Sequence, residues 1–117
     1  MKNFLAIYTG SPDSANSQKW NNLDPNQKIQ KEFEGMKAWQ AWAEINKSNI
    51  IQVGGPLGKT KKVDESGVSD IRNQMAAFTI IKAESYEAAA KVFLNHPHFS
   101  VFPGDGVEIM EILPIPG

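Results

Sequence analysis

Two runs, Phe4-Leu5-Ala6-Ile7-Tyr8 and Met75-Ala76-Ala77-Phe78-Thr79-Ile80-Ile81, are rich in strand formers and apolar at nearly every position. Successive strand residues point to opposite faces, so each run asks to be buried on both sides. The chain offers only two segments of helical period to do the covering. Two helices can cover one face of a four-stranded sheet and no more. This mismatch between apolar strand surface and available cover limits the possible folds more than any other feature.

The two helices have clear starts. Asp24 can cap, Pro25 suits the first helical position, and Gln27 stands where a capping-box partner belongs. This helix is predicted to run to about residue 47. Ile29, Phe33, Met36, Trp39, Trp42 and Ala43 lie on its apolar arc, opposite Gln30, Glu34, Lys37 and Glu44. Asn49 is expected to end it in a left-handed conformation. Ser85 caps the second helix, with Glu87 in its first turn, and Asn95-His96-Pro97 terminates it. The segment 11–22 reads as polar and irregular, with Trp20 either tucked over the core edge or acting as part of a lid.

Ile50-Ile51-Gln52-Val53 is a short strand stopped by Gly54-Gly55-Pro56-Leu57-Gly58. A long connection to Asn73 follows, with a turn at Ser66-Gly67 at the tip of a small hairpin. The last strand is expected over 107–113, and the tail Pro114-Ile115-Pro116-Gly117 cannot continue a ladder. The order is β-α-β, a link, then β-α-β. This predicts an α+β, ferredoxin-like split βαβ-βαβ domain spanning residues 1–117, with a four-stranded antiparallel sheet, its first and third strands central, and both helices on one face.

The uncovered face has an energetic consequence. Leu5, Ile7, Phe78, Ile80, Met110 and Ile112 alternate against Phe4, Tyr8, Met75, Ile81, Val107 and Ile109. A buried large side chain is worth ~1.5–3 kcal/mol, so five or six left wet forgo roughly 10 kcal/mol. That equals the whole stability of an ordinary domain, about 5–15 kcal/mol. A second copy across a two-fold axis is the simplest cover, giving a homodimer packed sheet to sheet.

Composition excludes several function classes. With net charge −1 the chain lacks the basic excess of a nucleic-acid binder. Having no cysteine, it can form no disulfide, thiolate nucleophile or Cys-ligated metal site. No run approaches membrane-spanning length, and the N-terminal apolar run ends too early for a signal segment, so the expected location is cytoplasmic.

The chain resembles the YCII-related family, named also for a DGPF signature, within the dimeric α+β barrel superfamily. The likeness rests on Phe4–Tyr8, Ile50–Gly58 with its GGPLG turn, Phe78–Ser85, His96-Pro97 and Val107-Glu108-Ile109. It implies a ferredoxin-like fold that dimerises into a barrel with a cleft beside each sheet. In some members it implies an acid–base pair, a histidine on the first helix and an aspartate at the turn after the second. At those positions this chain has Ala38-Trp39 and His96, and Asp70-Ile71-Arg72-Asn73 lies where the DGPF string would fall.

The candidate site residues follow from both readings. His96 and His98 are the only histidines, and either could move a proton near neutral pH; two ligands alone do not hold a metal. The competing reading makes them a helix-terminating turn. Gly54 and Gly55 allow close approach of backbone to a ligand or a second subunit, while GGPLGKT fails the spacing of a phosphate loop. Tyr8 offers a hydroxyl at a strand end, and Trp39 is either core or a stacking surface. Lys59, Lys61 and Lys62 are offset by Asp64 and Glu65. A pocket on which a histidine and Arg72 converge would favour chemistry; an apolar pocket without titratable groups would favour binding alone. The expectation is a cleft for a small, partly apolar molecule, with no cofactor or metal and possible acid–base chemistry; the alternative is a non-catalytic binding or interaction module.

Overall fold

Strand β1 (Lys2–Thr9) lies at the centre of the sheet, hydrogen-bonded on one side to β5 (Met75–Ala83) and on the other to β6 (Gly106–Glu111). The computed structural model describes residues 1–116; Gly117, the end of the predicted tail, lies outside the described residues. Strand β2 (Ile50–Pro56) completes the four-stranded sheet in the order β2-β5-β1-β6, every pair antiparallel. The first and third main strands are central, as the alternating order required. Strands β3 (Thr60–Asp64) and β4 (Gly67–Ile71) form a separate hairpin inside the long connection, with Val63 opposite Val68.

The registers settle which side chains share a face. Leu5 pairs with Ile80 and Met110, and Ile7 with Phe78 and Glu108. Phe4, Ala6 and Tyr8 pair with Ile81, Thr79 and Ala77, and on the other side with Glu111, Ile109 and Val107. This second face forms the core with Trp42 of the long helix, Ala89 of the later one and Phe93 of the turn that follows it. Both helices therefore pack on one face. Among the described residues none of the opposite face joins this core, although Ile7 on it is itself buried.

Helix α2 (Pro25–Ile45) begins with the full capping box: Asp24 accepts the Gln27 backbone N–H at 2.8 Å, and Gln27 accepts that of Asp24 at 3.1 Å. Its predicted apolar arc does not bury as one stripe. Trp42 is buried and Trp39 and Ala43 are packed against the core, but Ile29, Phe33 and Met36 are 65%, 60% and 58% exposed. The sheet reaches only the C-terminal half of the helix, so helical spacing alone overstates the core. Its end also differs from expectation. Asn46 caps the helix at φ −101° and ψ 9°, its side chain donating to the Trp42 carbonyl at 2.9 Å, and Asn49 is not left-handed.

Two short helices lie where irregular chain or a stop was expected. Helix α1 (Ala15–Asn21) starts at Ser14, whose hydroxyl accepts the Ser17 N–H at 3.1 Å. Helix α3 (Tyr86–Lys91) has its Ser85 cap, and Asn95, at φ 57°, turns the chain out of it. His96 then caps helix α4 (Pro97–Ser100). An extended residue before a proline suits a helix start as well as a stop, which is why His96-Pro97 reads in sequence only as a terminator.

The outline is elongated, 54 × 42 × 19 Å, with a radius of gyration of 16.1 Å. A compact domain of this length would have about 13 Å. The excess comes from parts that do not fold back on the core: the hairpin, where Val63 and Val68 are 76% and 68% exposed, and the first turns of α2.

Candidate functional site

A cavity of about 640 Å³ lies between α2 and the β2–β5 edge of the sheet. Met36, Val53, Pro56 and Ala77 give it mainly apolar walls. Tyr8, Trp39, Thr79 and His98 bring aromatic and polar groups to the same space. Gly54 and Gly55 form part of its rim, so five of the sequence candidates meet here.

The polar groups are ordered by one irregularity in β2. Between Gln52 and Gly55 the β2–β5 register shifts, and Gly54 takes φ +72°. A Cβ at Gly54 would lie within 2.0 Å of the Phe78 carbonyl oxygen, so both conformation and space demand glycine. Beside this bulge the Thr79 hydroxyl donates to the Val53 carbonyl at 2.8 Å. Having spent its one proton there, Thr79 can only accept from Tyr8, 2.9 Å away. The phenol of Tyr8 is therefore a donor toward Thr79. Burial pushes its pKa up to about 12. At neutral pH it is a positioned hydroxyl and not a base.

His98 stands beside it, ring centroids 5.3 Å apart. Its Nε2 lies 2.7 Å from the Thr9 carbonyl, which makes Nε2 the protonated nitrogen and leaves the lone pair on Nδ1. Gly104 makes room for this ring: a Cβ there would fall 2.2 Å from Nε2. The Gly104 N–H in turn donates to the His98 carbonyl at 2.8 Å.

His96 occupies a different setting. It is fully buried, and its Nδ1 accepts the His98 backbone N–H at 3.0 Å. The ring proton therefore sits on Nε2, which has no hydrogen-bond partner among the described residues. Trp39 and Trp42 surround the ring at 4.5 and 4.6 Å, both edge to face, with Tyr8 at 5.1 Å. A buried N–H enclosed by aromatic rings gains weak N–H···π attraction in place of a hydrogen bond. Burial, and to a lesser degree the charge of His98, push its pKa down to about 4. His96 supports the cavity wall from behind and does not line it.

Arg72 lies elsewhere. It borders a cleft of about 660 Å³ at the base of the hairpin, with Gly58, Lys59, Asp70 and Met75. It does not converge with either histidine. In the hairpin, Lys61 pairs with Asp70 at 2.6 Å and Lys62 with Asp64 at 3.4 Å, which neutralises much of the basic run.

Sequence reasoning passes over Thr79, the Val53 carbonyl and Phe102. Thr79 leaves a signal that could have found it: it is the one polar side chain in the apolar run from Met75 to Ile81. Among the described residues no group of three or more His, Asp or Glu side chains is placed to hold a metal ion. None of the helices described is long and apolar enough to cross a membrane.

No family model matches the chain, and no curated protein does. Among solved structures it is similar to 5-chloro-2-hydroxyhydroquinone dehydrochlorinase (TftG) from Burkholderia phenoliruptrix AC1100, in complex with 2,5-dihydroxybenzoquinone. The two share 23% sequence identity over 92% of this chain and 90% of that one, with a TM-score of 0.53. The likeness is one of fold. It extends over nearly the whole of both chains and supports the α+β arrangement around a four-stranded antiparallel sheet.

Proposed function

We propose that this chain is a cytoplasmic, homodimeric protein of the YCII-related type, built as one domain, that binds a small, flat, partly apolar molecule in the cavity beside Tyr8. The observation that carries the reading is the convergence of Tyr8, Trp39, Thr79 and His98 on one mainly apolar space of about 640 Å³. Binding sites have this character: apolar walls for affinity and a few fixed polar groups for orientation. Trp39 would stack on a ring. His98 would meet an oxygen substituent, with the buried Tyr8–Thr79 pair forming the wall behind it. The structural neighbour, a dehydrochlorinase solved with a dihydroxybenzoquinone, supports an oxygenated ring as the first class to try. The test is calorimetric titration with 2,5-dihydroxybenzoquinone and plain hydroquinone. Binding that weakens at least tenfold in Trp39→Ala supports the reading, and absence of heat with either compound counts against it.

A second reading adds cofactor-free proton transfer by His98, and one observation favours it. The Thr9 carbonyl holds Nε2–H, so the basic lone pair sits on the other ring nitrogen. Halide release from a chlorinated hydroquinone, followed by ion chromatography and lost in His98→Gln, would support it. Equal rates in both proteins would leave binding as the function.

A further inference from the structure

A second, smaller groove of about 290 Å³ lies between α1, α2 and the loop that follows α4, and Phe102 lines both it and the main cavity. The Phe102 ring stands between two tryptophans, 6.2 Å from Trp39 on the cavity side and 6.2 Å from Trp20 on the groove side. Its seat is a notch in α2. A Cβ at Gly35 would come within 2.4 Å of the ring, so the position admits no side chain while Phe102 is in place. Glycine in a helix interior is unfavourable by about 1 kcal/mol relative to alanine. Its presence in the middle of α2 is accounted for by the ring that fills the space.

We propose that Phe102 is the partition that sets how long a molecule the cavity accepts, and that the groove behind it is an extension subsite for an anionic tail. This rests on the reading of the main cavity as a binding site. The groove has the charge for that role. Lys19 and Lys31 both line it, no carboxylate does, and neither lysine has an acidic partner within ion-pair distance among the described residues. This is a local excess of two positive charges in a chain of net charge −1. Asn16 fixes the far wall by donating to the Gly104 carbonyl at 2.8 Å, so the loop carrying Phe102 is anchored while the ring is held only by packing. The ligand class is an aromatic ring joined through a short apolar spacer to a carboxylate. The ring would lie against Trp39, and the spacer would pass the point where Phe102 stands.

The experiment is calorimetric titration of wild type, Phe102→Ala and Gly35→Ala with phenol, 6-phenylhexanoate and 6-phenylhexanol. Phenol probes the main cavity alone, and the affinities of the longer probes are read relative to its affinity for each protein. Phe102→Ala is expected to bind 6-phenylhexanoate about tenfold more tightly than wild type, the worth of two further methylenes buried. Gly35→Ala, which fills the notch and displaces an intact Phe102, is expected to change affinity in the same direction and stands in if the first variant does not fold. In either background, Lys19→Gln and Lys31→Gln are each expected to weaken the acid by about fivefold and leave the alcohol unchanged. If phenol binds but neither variant gains affinity for the acid, the partition is overturned with the cavity reading intact. An acid and an alcohol that respond equally to the lysine changes overturn the anionic subsite. If no probe binds any of the proteins, the cavity reading falls and this proposal with it.

Discussion

The Thr79 hydroxyl reaches the Val53 carbonyl across the β2–β5 pair at 2.8 Å, and this bond fixes the direction of the Tyr8 proton. Thr79→Val would leave both the Val53 carbonyl and the buried Tyr8 hydroxyl without their partner. Tyr8→Phe would leave only an unused acceptor lone pair on Thr79. Unmet buried polar groups cost about 1–3 kcal/mol, more than the net worth of a typical hydrogen bond. Urea unfolding should therefore show Thr79→Val destabilised by about 2 kcal/mol and Tyr8→Phe by under about 1 kcal/mol. The double variant should be less unstable than the sum, because the Tyr8→Phe change removes the orphaned donor. Equal losses in the two single variants would contradict the assigned direction of the relay.

Gly54 makes that relay possible. A side chain at φ +72° is strained, and this one would also collide with the Phe78 carbonyl. Gly54→Ala should lower stability by about 2–4 kcal/mol, as expected where backbone strain and a clash coincide. Gly55 has no positive φ, and a Cβ there would meet nothing within 4 Å, so alanine should be tolerated with little change. Denaturant midpoints of the two single variants check the contrast, and adjacent glycines that behave alike would refute it.

Acid should act through His96. Its folded pKa, about 4, lies below the ordinary value of 6.5, so the unfolded chain takes up a proton that the native state refuses. The stabilising contribution is fully present above pH 6.5 and is lost as pH falls toward 4, at about 1.2 kcal/mol per pH unit where the slope is steepest. At the other extreme Tyr8, raised from 10 to about 12, contributes stability below pH 10 that is lost as pH rises toward 12. Unfolding curves between about pH 7 and about pH 4.5 should show the acid slope in wild type and a flatter one in His96→Asn. A variant slope as steep as wild type would assign the acid sensitivity to another group.

How much of the fold is legible in the sequence depends on the range of the interaction. The capping box at Asp24 and Gln27 is local and readable residue by residue, as is the strand order from alternating apolar runs. Ser14 caps a seven-residue helix with the same chemistry, but the helix buries no residue and so has no apolar period to reveal it. The exposure of Ile29, Phe33 and Met36 is set by where the sheet ends, which no periodicity records. The site divides the same way. Tyr8, Trp39, His98, Gly54 and Gly55 stand out by residue type, whereas Arg72 is suggested only by its nearness in sequence to the resemblance and lies at another cleft. The pairing of Gly35 with Phe102 joins positions far apart in the chain and leaves only a misplaced helical glycine as its trace.

The apolar face opposite the helices yields the last prediction. Leu5, Ile7, Phe78, Ile80 and Met110 are brought together by the β1–β5 and β1–β6 registers, and the helices that form the core all lie on the other side. A contiguous apolar sheet of this kind is rarely left in water by a stable monomer. Static light scattering of the purified protein at micromolar concentration should give twice the chain mass. Ile80→Lys puts a charge at the centre of the face, where its ammonium would be desolvated on association, and should shift the protein to monomer while far-UV circular dichroism keeps its shape. Such a monomer should also unfold at lower denaturant, since the apolar face loses its cover. A wild-type mass equal to one chain, or an Ile80→Lys variant that remains paired, would mean that this face is not where two copies meet.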